Sequence, residues 1–194
     1  MAQVLFLNAP ANSGKDTIAD ALVEQHGFTK LSFKDTLFDF MFKIFNIKDS
    51  AAFMDMYYTR VTKEQPCELL RLGGAVLSPR QALIHVSENV VKPLLGDDYF
   101  GQAVLAKINP TGKYVFSDCG FLEEIMPIIQ KVMPFNVYLV RLTREGCTFN
   151  GDSRNYIYPK LGGIKCVKEL DIANDGTVDD VASNIMEFFN EVAE

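Results

Sequence analysis

The residues with the most chemical promise in this chain lie in ten positions, NAPANSGKDT, residues 8–17. A glycine followed by a lysine, set between an apolar run and a helical pattern, is what a phosphate-cradling loop requires. Gly14 lets the backbone approach an anion, and the helix start turns N–H groups toward it. Lys15 adds a mobile charge that can reach β- and γ-phosphates. Asn12 and Ser13 complete the candidate ATP loop. Two positions depart from the common form G-x-x-x-x-G-K-[ST]. Ala9 stands at the first glycine, and Asp16 stands at the hydroxyl residue with Thr17 one step later. A carboxylate at a helix start can hold Mg2+ directly or through water, and Thr17 keeps a hydroxyl beside it. The plainer alternative is a surface turn in which Asp16 only caps the helix.

Other charged residues extend the candidate site. Asp118 ends the apolar run YVFSD, where an acid beside a phosphate loop can meet Mg2+ or an acceptor; a simple strand-end cap is the alternative. Ser78-Pro79-Arg80-Gln81 opens a helical pattern, and Arg80 can fork onto an acceptor phosphate. Arg71, expected in the preceding helix, suits an ordinary ion pair equally well. Arg141, Arg144 and Arg154 flank the polar stretch RLTREGCTFNGDSR. Arginines there, Arg144 and Arg154 above all, can clamp the charge that phosphoryl transfer spreads over equatorial oxygens. The alternative is a solvated loop held by Glu145 and Asp152. Lys34 opens the helix after the second strand, near the expected acceptor pocket. Of the phenylalanines around it (Phe33, Phe38, Phe40, Phe42, Phe45), one is a candidate to stack on a base, and the rest read as core.

Competing chemistries find little support. His26 and His85 sit in helical patterns without a matching nucleophile, which disfavours a hydrolase triad. Asn46-Ile47-Lys48-Asp49 has the wrong order for a guanine-reading N-K-x-D, and Asp118-Cys119-Gly120 is one residue short of a D-x-x-G switch.

The elements that must position these groups follow from periodicity. Residues 3–8 form a buried first strand, TIADALVEQHGF a helix stopped near Gly27, and residues 28–33 a second strand. Residues 34–107 read mainly as helix, in the segments DTLFDFMFKIF, CELLRL, PRQALIHVSENVV and DDYFGQAVLAKI, punctuated by Pro66, Gly73–Gly74, Pro79, Pro93 and Gly96. Strands at 113–118 and 136–142 enclose a helix near 121–132. A polar segment spans about 143–163, a last strand 168–174, and an amphipathic helix closes the chain. Strand–helix alternation predicts a parallel sheet of about five strands covered on both faces, interrupted by a helical insert suited to substrate binding.

The bulk properties agree with one soluble α/β domain of 194 residues with 48% hydrophobic and 23% charged residues. A net charge of -6 argues against broad nucleic-acid binding, while local arginines still permit a small anion. No apolar run approaches the roughly 18–20 residues of a membrane helix, and the N-terminus lacks a signal-peptide pattern. Cys67, Cys119, Cys147 and Cys166 are scattered without a CxxC pair, so a reducing cytoplasm is expected.

Taken together, these segments resemble the bacteriophage deoxynucleoside monophosphate kinases, within the P-loop nucleoside-monophosphate kinase superfamily. SGKDT is similar to that family's loop, which already carries Asp after Lys. LSPRQALIHVSENVVKPLLGDDYF resembles its T-P-R-Q-x-L-Q helix and the elements that follow. YVFSDCGFLEE is similar to a strand ending D-x-R-F-x-x-E, with Gly120 in place of the arginine, so that arginine's role is not carried over. DIANDGTVDDV resembles the N-D-G-[ST] turn near adenine, which brings in Asn174 and Gly176 as ATP-binding residues. The resemblance implies a P-loop kinase fold, ATP with Mg2+, a dNMP acceptor, a substrate-binding insert at about 34–107 and an arginine-bearing lid at about 143–163. It also implies the cytoplasm (the host's, for a phage protein) and allows a homodimer. A dephospho-coenzyme A or phosphomevalonate kinase and a non-catalytic nucleotide-binding module are the rival readings.

Overall fold

The computed structural model describes residues 1–132, 136–165 and 167–191. These divide into two compact units, one formed by Met1–Phe33 with Gly101–Glu194 and the other by Lys34–Phe100.

The first unit is built on a parallel sheet. QVLFLN forms β1 (Gln3–Asn8), buried from Val4 onward, as a strand covered on both faces must be. A loop leads into α1 (Lys15–His26), which Gly27 ends with a left-handed φ of 70°. β2 (Thr29–Leu31) is shorter than the expected 28–33 and lies at the sheet edge, where Thr29 and Lys30 face solvent.

In the second unit, α2 (Lys34–Ile44), α3 (Ser50–Tyr58) and α4 (Arg60–Lys63) come first. The stretch CELLRL, expected to be helical, instead ends in β3 (Arg71–Leu72), which pairs antiparallel with β4 (Ala75–Val76). The reason is local. Gly73 and Gly74 have φ of 56° and 88°, and two consecutive positive φ values make the tight hairpin turn that glycine pairs favour. α5 (Pro79–His85) opens with a capping box between Ser78 and Gln81, as Pro79 in the first turn suggests. It continues as a wider π-helical stretch over Val86–Val91 into α6 (Lys92–Leu95), where the Lys92 N–H reaches the Ser87 carbonyl five residues back. Pro93, which has no N–H to give, follows directly, so the loosened register falls where the ordinary ladder loses a donor.

α7 (Tyr99–Val104) and a short 3-10 turn over Leu105–Lys107 lead into β5 (Lys113–Cys119). α8 (Leu122–Lys131), β6 (Val137–Thr143), β7 (Lys168–Ala173) and α9 (Val178–Glu191) complete the chain. The expected closing helix also covers Val192 and Ala193, which lie outside the described residues, as do 133–135 and 166. The strand order is β2-β5-β1-β6-β7, all parallel, which delivers the expected five strands. One face carries Leu5, Leu7, Val115, Tyr138 and Val140 against Ile18 and Leu22 of α1 and Ile185 and Phe189 of α9. The other is built around Phe6, Phe33 and Phe116, whose rings pack together. β1 is central, and its carboxyl end opens where the chain leaves for β2 on one side while β6 lies on the other. That is the crevice in which α/β sheets hold ligands.

Candidate functional site

The loop after β1 is closed by its own polar groups. Ser13 Oγ donates to the Pro10 carbonyl at 2.8 Å, and Lys15 Nζ donates to the same oxygen at 3.0 Å. Lys15 is only 7% exposed, so its ammonium is held at the mouth of the loop. Asn12 and Gly14 have φ of 67° and 85°, left-handed conformations of the kind from which anion-binding nests are built. Glycine is required at position 14 for a second reason. A β-carbon there would come within 2.6 Å of Asn174 Nδ2, which donates to the Ser13 carbonyl at 2.5 Å. Ala9, by contrast, is buried in the core with no positive φ, so this loop does not need a glycine at that position.

Asn174 follows β7, and its own N–H bonds the Thr143 carbonyl at 2.7 Å. Gly176 is exposed in the turn before α9, whose start is capped by Thr177 Oγ1, which accepts from the Asp180 N–H at 3.2 Å and donates to the Asp180 carboxylate at 2.6 Å. Arg144, at the end of β6, brings Nη1 within 3.7 Å of a β-carbon built on Gly14, so this arginine stands beside the loop. Lys15, Gly14, Asn174 and Arg144 are thus brought together from three separate stretches of chain.

The acids lie on the neighbouring strand and the helix start. Asp118 is 7% exposed near the end of β5, and Ser32 Oγ donates to its Oδ2 at 2.6 Å. Ser117 Oγ donates to Asp16 Oδ1, also at 2.6 Å, tying the first turn of α1 to β5. Lys30 stands 3.8 Å from Asp16 and 2.8 Å from Asp20. Asp16 and Thr17 are both exposed on the first turn of α1, where a carboxylate and a hydroxyl side by side suit a hard cation. Among the described residues no cluster of three His, Cys, Asp or Glu could cage a metal alone. The donor set fits Mg2+, which keeps waters and takes one or two carboxylates together with phosphate oxygens.

The three arginines of the polar segment have three different settings. Arg141 lies within β6, as the strand expected at 136–142 places it, and is 5% exposed. Its Nε bonds Asp171 at 2.5 Å, its Nη1 bonds Glu169 at 2.7 Å and the Ile157 carbonyl at 2.9 Å, and its plane lies over the Tyr158 ring at 4.3 Å. Burial alone would lower its pKa, but the hydrogen bonds and charges of Asp171 and Glu169 outweigh burial and raise it. Arg154 is gripped by Asp152, through Nε at 2.9 Å and Nη2 at 2.6 Å, and its aliphatic stem crosses Gly120. Arg144 is exposed beside the loop that follows β1.

Asn8, the last residue of β1, has a part the sequence alone did not suggest. Fully buried, its amide donates to the Cys119 and Asn155 carbonyls, both at 3.2 Å, and accepts from the Ile157 N–H at 2.9 Å. With Arg141, it sews residues 155–157 onto the carboxyl end of the sheet. Tyr156 adds a bond from its hydroxyl to the Leu142 carbonyl at 3.0 Å. A polar residue ending an otherwise apolar strand was the only signal in the sequence. The hydroxyls of Ser32 and Ser117, which orient the two acids, had none.

The remaining candidates belong to the second unit. Lys34 opens α2 and is half-buried. Arg80, in the first turn of α5, meets Glu64 at 3.4 Å. Arg71 sits on the hairpin strand β3, not in a helix, and pairs with Glu68 on the surface. Phe38 and Phe42 stack on each other and pack against Tyr57 and Phe53, while Phe40 packs on Tyr99. Phe42 and Met54 line, with Asp35 and Asp39, a cavity of about 250 Å³.

No family model matches the chain, and no curated protein matches it in sequence. Solved structures do align along nearly its whole length. A gluconokinase from Sinorhizobium meliloti 1021 is 9% identical with a TM-score of 0.46, covering 98% of this chain and 93% of its own. A shikimate kinase from Aquifex aeolicus vf5 is 11% identical with a TM-score of 0.48, covering 98% of each chain. A sugar kinase from Janibacter sp. HTCC2649 is 9% identical with a TM-score of 0.45, covering 98% of this chain and 95% of its own. With similarity this slight, what the chain does has to come from its own residues.

Proposed function

We propose that this protein transfers the γ-phosphoryl group of ATP to a deoxynucleoside 5′-monophosphate, giving ADP and a deoxynucleoside diphosphate. The observation that carries the reading is the meeting of Gly14, Lys15, Asn174 and Arg144 around a left-handed loop, with Asp118 and Arg154 at the end of the adjoining strand. A basic, N–H-rich cradle beside a buried acid matches the needs of phosphoryl transfer, where positioning and charge neutralisation do most of the work.

In this reading the loop amides of Asn12 to Thr17 and Lys15 hold the donor phosphates, and Lys15 leaves the Pro10 carbonyl to do so. Asn174 fixes the Ser13 carbonyl, which keeps the loop shaped, and Gly176 leaves room in the turn assigned to the adenine. Asp16 and Thr17 are the residues that would hold Mg2+, which when bound neutralises phosphate charge. Asp118, oriented by Ser32, receives the acceptor. Arg144 and Arg154 meet the transferred group, and Arg80, with Lys34, fixes the acceptor phosphate. Arg141 is assigned to anchoring the polar segment and Arg71 to the surface, given their partners. The aromatic cavity with its two carboxylates is suited to a flat base bearing amino donors.

The test is ADP formation from Mg-ATP against dNMPs, NMPs, dephospho-coenzyme A and phosphomevalonate. Turnover with a dNMP is expected, and Lys15→Met is expected to lower it on the order of 10²–10³-fold. Turnover only with another acceptor would replace the substrate, and near-normal turnover by Lys15→Met would overturn the assignment of the loop.

A further inference from the structure

We infer that Gly120 and Asp152 are positioning residues for Arg154, setting its guanidinium before substrate binds; this deepens the kinase reading above and rests on it. The first observation is steric. A β-carbon at Gly120 would come 2.9 Å from the β-carbon of Arg154 and would overlap its γ- and δ-carbons still more. Gly120 is buried, and its φ is outside the left-handed range, so the backbone does not demand glycine here. Space does. Any side chain at position 120 would lift Arg154 away from the end of β5, where Asp118 and Cys119 lie.

The second observation is polar. Asp152 is only 10% exposed at its side chain, and it takes three hydrogen bonds from Arg154: from the backbone N–H at 3.1 Å, Nε at 2.9 Å and Nη2 at 2.6 Å. Its own N–H is bound to the Phe149 carbonyl at 2.9 Å. On the other side of Arg154, Asn8 holds the Asn155 carbonyl and the Ile157 N–H. The arginine is therefore fixed by a carboxylate before it, a buried amide after it and a glycine floor beneath it. An arginine set in this way loses little further freedom when it engages an anion, which is where preorganisation contributes to rate. A merely structural ion pair would need Asp152, but it would not need an empty space at position 120.

The experiment is a mutant cycle in the full-length protein, following ADP formation with Mg-ATP and whichever dNMP is turned over best. Gly120→Ala is expected to lower kcat on the order of 10²-fold, as displacing a reacting group by about 1 Å does, with KM for both substrates changed far less. Arg154→Gly should lower kcat at least as much. In the double variant the effect of Gly120→Ala should vanish, because the side chain it displaces is gone. Should Gly120→Ala fold poorly, Asp152→Asn is the second probe, expected to lower kcat with KM held and to have no effect on the Arg154→Gly background. Unchanged kcat in Gly120→Ala or Asp152→Asn would overturn the inference while leaving the kinase reading intact. So would a loss that persists undiminished without Arg154. If the unsubstituted protein forms no Lys15-dependent ADP with any acceptor, the kinase reading fails and this inference falls with it.

Discussion

Arg141 and Arg71 are both paired with carboxylates, yet they hold opposite places in the molecule. Arg141 is buried in the first unit with Glu169, whose side chain is 7% exposed, and reaches a backbone carbonyl as well. Arg71 pairs with Glu68 on the surface of the second unit, both side chains more than half exposed. Arg80 and Glu64 stand between these extremes, at 32% and 55%. Burial is what separates them. A charge taken out of water must keep its partners, because removing one leaves the other stranded; a charge still in water can exchange its partner for a ligand at little cost.

Among these arginines, Arg141 has the most to lose. Arg141→Ala leaves Glu169 buried without its cation and frees the Ile157 carbonyl. It should cost about 3–5 kcal/mol of unfolding free energy, read from denaturant titration. A loss below about 1 kcal/mol would mean that this cluster behaves like a surface pair. Next is Arg80→Ala. If its pairing with Glu64 is exchangeable, stability should barely move while KM for the dNMP rises by about 10–100-fold, the worth of hydrogen bonds to a charged group. A melting shift without a KM change would turn Arg80 into a structural residue. Arg71→Ala should alter stability by no more than about 0.5 kcal/mol and leave kinetics unchanged.

A thiol obeys the same rule of burial on a smaller scale. Burial, reinforced by Glu124 and Asp118, pushes the Cys119 thiol well above its ordinary value of 9.0. The folded chain then keeps a proton that the unfolded chain gives up as pH passes that value. The stabilising contribution is therefore complete below about pH 9 and declines as pH rises beyond it. Cys119→Ala should flatten the fall of stability on the alkaline side. Cys67 and Cys147, which are half-buried, should react with thiol reagents well before Cys119 does. An alkaline slope unaffected by the substitution would assign it to Tyr138 and Tyr156, whose hydroxyls burial also raises.

The regular elements of the first unit were legible in the sequence because each depends on neighbours a few residues away. The run 3–8, the pattern after Lys15 and the closing helix all carry their period in the chain itself. The hairpin at 71–76 carries only an ambiguous local signal, because Gly73–Gly74 suits a break between helices as well as a turn between strands. What local pattern could not give was the partner of a side chain. Arg141 belongs with Asp171, thirty positions on, and Asn8 with Ile157, 149 positions on.

Local pattern is enough to give the strand–loop–helix with Gly14 and Lys15, the alternation that makes a parallel sheet, and the inventory of acids and arginines. Hydrophobic period and glycine's conformational range act over a few residues, so they are written locally. Which arginine is buried, which acids receive a serine hydroxyl, and why position 120 has no room for a side chain follow from the assembled fold. Those outcomes depend on desolvation and excluded volume between segments that meet only when the sheet is assembled, and neither leaves a period in the chain.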